Sequence, residues 1–245
     1  MSEPGNIALA GGAEFGGRMS DLDGRAVELA GGASAAIQII PAAAAPDKNQ
    51  DRAGARGVTW FRSLGVKTVC YRAIIDRASA DDIHEADHLG NADLIYLLGG
   101  FPGHLAESLK GSKSWQAAIR AYASGAVIAG SSAGAMVLGD FYYDPETSTV
   151  RPGLGVIGSI LVIPHHERIG LSWALRLRRL APDSQLLGLD ESTGIIDDIE
   201  SNGWSVHGGG DAVVYLRGEQ YRYRAGQVIP FARLPRPCVD CKKYP

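Results

Sequence analysis

The chain reads as an α/β protein with three layers: a mostly parallel sheet, helices on both faces, and an antiparallel edge contributed by its C-terminal part. Three observations predict this class. Short apolar runs alternate with longer amphipathic ones from Asn6 to Leu138, the order expected of parallel strands joined by helical crossovers. Glycines close these runs, in pairs at Gly11-Gly12, Gly31-Gly32 and Gly99-Gly100. From Trp204 to Phe231 the runs become short, aromatic or β-branched and separated by glycine, the texture of an antiparallel meander packed on one edge.

Asn6–Ala10 is a short apolar strand, and the spaced apolar positions of Arg18–Leu29 form a helix stopped by glycine. Ala35–Ile40 is a second buried strand, closed by Pro41. An alanine-rich linker and a polar run lead to a helix marked by Val58, Phe61 and Leu64, and Lys67–Tyr71 is a third strand. Ser79 with Asp82 resembles a capping box opening a helix that runs to Gly90. Asp93–Leu98 is a fourth strand. Helices over 103–110 and 113–124 bring the chain to the strand that begins at Ala126. Beyond Asp140 the stretch Phe141–Pro152 reads as a loop and Ile157–Ile163 as a strand. Leu171, Ala174, Leu175, Leu177 and Leu180 form a helix face, and Leu186–Leu189 is another strand. With no repeat and no domain linker visible, residues 1–245 are expected to form one domain, with 232–245 as an irregular tail.

Composition narrows the function. A net charge of −3 disfavours a dedicated nucleic-acid or anionic-membrane surface, and no apolar run approaches membrane-spanning length. The start, Met1-Ser2-Glu3-Pro4-Gly5, has no basic leader, and three cysteines do not make a disulfide framework, so a cytoplasmic location is expected. Cys238-Val239-Asp240-Cys241 in the tail reads as two incidental thiols, without the further ligands a metal site needs. No metal or cofactor is expected.

The chemistry centres on Gly130-Ser131-Ser132-Ala133-Gly134, which follows a buried apolar run and precedes an apolar segment without breakers. G-x-S-x-G between strand and helix makes a sharp turn that presents its serine outward, and the next backbone N–H lies at an oxyanion position. Ser132 is then the candidate nucleophile and Ala133 an oxyanion donor. A serine so placed needs a base, and the base an orienting acid. Of six histidines, His84, His88 and His104 precede the elbow in helical segments, and His207 falls in a glycine-rich turn. His165 and His166 stand at a strand's carboxyl end, the edge where parallel sheets place their sites. Asp190 and Glu191 occupy an equivalent position, and Asp144 in the loop after the elbow is a rival acid. Arg168 is the basic residue nearest the histidines and is the candidate for a substrate carboxylate.

Together, Gly99-Gly100, the Gly-Ser-Ser-Ala-Gly-Ala elbow, Pro164-His165-His166 and Leu189-Asp190-Glu191-Ser192-Thr193 resemble the serine peptidase family of peptidase E and cyanophycinase. Its fold is related to the flavodoxin-like fold of class I glutamine amidotransferases. The resemblance runs from Ile7 to the final strands. It implies His165 as base, His166 in a neighbouring aromatic slot, the Gly100 N–H as second oxyanion donor, and as acid Glu191 by the cyanophycinase pattern or Asp144 by that of peptidase E. It further implies a short peptide with an aspartyl or β-aspartyl residue as substrate and sole small-molecule partner, and raises a homodimer as an assembly. Where family members carry Asp-Gln or Asn-Thr after the double glycine, this chain has Phe101-Pro102, so Phe101 is a candidate lining of a rewritten specificity pocket. Ile163-Pro164 replaces the Asp-Gln that precedes the family histidine in cyanophycinases. Three other readings differ in observable ways. An amidotransferase domain would carry cysteine at the elbow, a binding protein would leave Ser132 inert to fluorophosphonates, and a general esterase would prefer p-nitrophenyl esters to aspartyl dipeptides.

Overall fold

The computed structural model describes residues 4–237 apart from Ile199 and Arg217, and Leu171 by its backbone alone. In chain order its elements are β1 (Ile7–Ala10), α1 (Met19–Leu29), β2 (Ala36–Ile40), α2 (Gln50–Ser63), β3 (Thr68–Tyr71), α3 (Arg77–Ala80), α4 (Ile83–Gly90) and β4 (Leu94–Leu97). There follow α5 (Pro102–Leu109), α6 (Lys113–Ala123), β5 (Val127–Ser131), α7 (Ala133–Val137), β6 (Phe141–Asp144), β7 (Thr149–Pro152), β8 (Ile160–Ile163) and α8 (His166–Leu180). The chain continues through β9 (Gln185–Leu189), β10 (Thr193–Asp198), β11 (Gly203–Gly208), β12 (Asp211–Leu216), β13 (Glu219–Arg224) and β14 (Val228–Pro230).

Eight strands form the main sheet in the order β14-β11-β10-β1-β5-β4-β2-β3. The five from β1 to β3 in that order are mutually parallel, and β10, β11 and β14 add an antiparallel flank. Because successive side chains of a strand point to opposite faces, apolar runs buried on both sides feed two cores. Ile7, Leu9, Ile95, Leu97 and Ile128 pack with α4, α5, α6 and α7 on one face. Their neighbours Ala8, Ala10, Leu94, Tyr96, Val127 and Ala129 pack with α1 and α2 on the other.

The C-terminal meander does not stay on one edge, which corrects the expected antiparallel edge in its details. β11 and β14 extend the main sheet, but β12 and β13 join β8 and β9 in a separate four-stranded sheet of order β13-β12-β9-β8. Alternation explains how this sheet is buried. Val162, Leu187, Leu189, Ala212 and Val214 join the main core, while Leu161, Ile163, Leu186 and Val213 pack beneath Ala174 and Leu177 of α8. Leu175 and Leu180, expected on the same helix face, are exposed.

Phe141–Pro152 is a hairpin rather than a loop: β6 and β7 pair antiparallel, and Tyr142 and Tyr143 are both buried. Three consecutive aromatics favour a pleated, half-buried strand over irregular chain. His207 lies on β11, paired with Gly194, rather than in a turn. The capping box belongs one element earlier than expected. Asp76 and Ser79 exchange side-chain and backbone bonds at the start of α3, while Asp82 accepts from the His84 and Glu85 amides at the start of α4. Cys70 is exposed, and the Cys238–Cys241 pair lies outside the described residues. Among the described residues no helix is long and apolar enough to cross a membrane.

Candidate active site

The site forms where the main sheet meets the smaller one. β5 ends at Ser131, and Ser132 follows with φ 48° and ψ −112°, a region that costs a non-glycine residue about 1–3 kcal/mol. Flanking glycines make this turn possible. A Cβ on Gly130 would lie 2.5 Å from the Gly134 backbone, and one on Gly134 would lie 2.2 Å from the Leu97 carbonyl oxygen. Two bonds hold the strained residue: its N–H donates to Ala10 O at 3.0 Å, and its carbonyl accepts the Met136 N–H at 3.0 Å.

His165 follows β8 and is the first-turn cap of α8, with φ 47° and ψ 41°. Its N–H donates to Gly11 O at 2.9 Å, tying the end of β8 to the turn after β1. The imidazole fills the space beside Gly12, where a Cβ would lie 2.4 Å from the ring. Nε2 stands 3.0 Å from Ser132 Oγ, and Nδ1 stands 2.9 Å from Glu191 Oε1. A carboxylate can only accept, so Nδ1 carries the proton, which leaves Nε2 as acceptor for the serine hydroxyl. Glu191 lies in the turn between β9 and β10. Its carboxylate also accepts from Arg168 Nη1 at 3.0 Å, and its N–H donates to Glu167 Oε2 at 2.9 Å. The His165 bond, then the Arg168 bond, hold its carboxyl below the usual glutamate range.

The other acids are elsewhere. Asp144, at the end of β6, is buried and accepts from Arg151 Nη1 at 3.1 Å and from the Glu146 N–H at 3.0 Å. Asp190 pairs with His166 rather than His165. His166 is clamped between Gly170 and Gly188, with Nδ1 3.2 Å from Asp190 Oδ1 and Nε2 2.7 Å from the Tyr215 hydroxyl.

A cavity of about 530 Å³ opens beside Ser132 and His165, walled by Gly12, Ala13, Gly16, Gly17, Gly99, Gly100 and Ser192, with Glu14 and Arg56 as its other ionisable groups. Gly100, at φ 139°, packs so closely on the Ala43 carbonyl that a Cβ there would lie 2.2 Å from its oxygen. Ala133 opens α7 directly after Ser132 and is buried. Neither amide has a backbone acceptor among the described residues.

Three residues expected to bind substrate do not wall this cavity. Phe101 caps α5 ahead of Pro102 and donates its N–H to Ala43 O at 2.8 Å, so Phe101-Pro102 serves as a helix start. His166 and Arg168 instead line a separate cavity of about 850 Å³ along α8: His166, one position on, turns away from His165, and Arg168, three positions on, reaches back only as far as Glu191. Glu14 and Arg56 escaped the sequence reading. The signal for Glu14 was its place two residues after the Gly11-Gly12 turn at a strand's carboxyl end; nothing marked Arg56 out within α2. Burial raises the Glu14 carboxyl above its usual range, against the opposing effects of the Ser131 hydroxyl, the Gly99 N–H, Arg56 and His165.

Residues 7–195 match the sequence model of peptidase family S51. A cyanophycinase from Synechococcus elongatus is 28% identical over 200 residues, covering 77% of this chain and 61% of that protein, so the chain spans under two thirds of that relative's length. A cyanophycinase from Geminocystis herdmanii is 27% identical over 199 residues, covering 77% of this chain and 72% of the relative. Among solved structures, a peptidase from an acI-B1 Actinobacterium superposes with a TM-score of 0.82 at 28% identity, covering 93% of this chain and 97% of the other. The fold is shared with a putative peptidase E from Listeria monocytogenes EGD-e, at a TM-score of 0.61 and 16% identity, covering 91% of this chain and all of the other.

Proposed function

The chain belongs to peptidase family S51, and from that premise we propose that it is a serine peptidase that hydrolyses a short peptide at an aspartyl or β-aspartyl amide through an acyl-enzyme on Ser132. The observation that carries this reading is the unbroken relay from Ser132 Oγ through the His165 ring to Glu191, with links of 3.0 and 2.9 Å. In the mechanism, Ser132 Oγ attacks the amide carbon as its proton passes to His165 Nε2. Glu191 holds the ring in the required tautomer and stabilises the imidazolium. The Gly100 and Ala133 amides receive the developing oxyanion, each such donor being worth roughly 10²–10³ in rate. The C–N bond then breaks, His165 passes its proton to the leaving amine, and water repeats the sequence on the ester to free the acid and Ser132.

Ser132→Ala tests the reading. Turnover of aspartyl dipeptides should fall by roughly 10⁶, and labelling by a fluorophosphonate should vanish. Turnover within tenfold of the wild type would overturn it.

A further inference from the structure

The cavity beside Ser132 is walled mainly by glycine and alanine, so few side chains are available to choose its occupant. Glu14 and Arg56 are of opposite charge and attract each other across the cavity, but no ion pair joins them among the described residues. Glu14 is half-buried, accepts the Gly99 N–H at 3.3 Å and has no ion-pair partner among the described residues. Its Oε2 lies 3.0 Å from the point a Cβ on Gly99 would occupy, and Ser132 Cβ lies 3.2 Å from that same point, which sets the carboxylate beside the nucleophile. The Arg56 guanidinium extends over Gly16, 3.9 Å from where its Cβ would be, and among the described residues donates only to Phe15 O, at 3.4 Å. A half-buried carboxylate without a counter-ion in bonding contact favours a ligand that brings a cation. An exposed guanidinium on the same wall favours one that also brings a carboxylate.

We propose that Glu14 is a specificity-determining residue that binds the free α-ammonium of the substrate's amino-terminal residue, while Arg56 receives that residue's carboxylate. The inference rests on the peptidase reading above and deepens it by assigning the side chains that read the substrate's amino-terminal residue. Bond geometry agrees with the placement. In an α-aspartyl peptide the amine is on the carbon next to the scissile carbonyl, and in a β-aspartyl peptide it is one carbon further. Either way the ammonium falls within a few ångströms of the atom that Ser132 attacks, where Glu14 stands. Burial that raises the Glu14 carboxyl acts in the same direction, because an arriving ammonium would restore its charge. Acetylating the amine would put a neutral amide against the carboxylate and leave its charge uncompensated.

The test compares aspartyl dipeptides with their N-acetyl derivatives. The wild type should favour the free amine by about 10- to 100-fold in kcat/KM, the range expected of one charge-assisted bond. Glu14→Gln keeps an oxygen for the Gly99 amide and should lose most of that preference by slowing only on the free-amine substrate. A purely structural role would slow both substrates alike, and that result, or a wild type indifferent to acetylation, would overturn the proposal. Arg56→Gln should likewise erode the preference for amino-terminal Asp over Asn. Calorimetric titration of both ligands into Ser132→Ala, with and without Glu14→Gln, reads the ammonium contact whatever becomes of the chemistry. Tighter binding of the free amine only when Glu14 is present supports the proposal; equal binding, or none, defeats it. A Ser132→Ala protein that still turns over would defeat the peptidase mechanism alone.

Discussion

Glu191 and Asp144 are the two candidate acids for the elbow serine, and their partners differ. Glu191 is partly exposed and faces His165, whereas Asp144 is enclosed and committed to Arg151, which also grips Glu107 at 2.6 Å. Glu191→Gln should therefore cut kcat by roughly 10⁴, the cost of losing the tautomer-holding charge, while a thermal melt stays near that of the wild type. Asp144→Asn should do the reverse. Its kcat should stay within about threefold, while stability falls by about 1–3 kcal/mol because a buried, bonded charge has lost its match to Arg151.

At the scale of elements, the glycines divide sharply into those that shape the site and those that do not. Gly134→Ala would drive a methyl into the Leu97 carbonyl, only 2.2 Å away, so both the melting temperature and fluorophosphonate labelling should drop. Gly24, inside α1, has nothing within 4 Å of the corresponding point and an ordinary φ. Gly24→Ala should raise stability by about 0.5–1 kcal/mol, readable by urea denaturation, and leave activity unchanged. The same physics explains what could be read in advance. Alternating apolar strands and amphipathic helices announce β1 to β5 because their side-chain periods differ, and the elbow announces itself because only small residues fit its two arms. Partition of the C-terminal strands could not be read, since β11 and β12 show the same period whichever sheet they join. His165 and His166 both sat at the correct edge, but only helix geometry decides which ring meets the serine. Glu14 escaped because a polar residue after a glycine turn looks like any loop acid until Gly99, 85 positions away, is brought beside it.

At the scale of the molecule, two carboxyls enclosed in the fold make stability depend on pH. Burial pushes Asp23, which accepts from Trp60 Nε1 at 2.8 Å, and Asp197, which accepts the Ile7 N–H, up to about 7. In the unfolded chain such groups titrate near ~4, so between those values the folded state binds more protons. Their contribution is full below about pH 4 and is lost as the pH rises through 7. Asp23→Asn keeps an oxygen for the indole and no longer ionises, so its melting temperature relative to the wild type should improve from pH 5 to pH 8; a constant difference would refute this account. The tie from His165 to the Gly11 carbonyl has a separate consequence. Ser132 and His165 arrive on different sheets, and Glu191 stands in the turn that joins those sheets, so their hydrogen-bonded relay exists only while the two are docked. Mild urea that loosens this seam should silence the enzyme before Trp115 and Trp204, sealed in the shared core, report any unfolding.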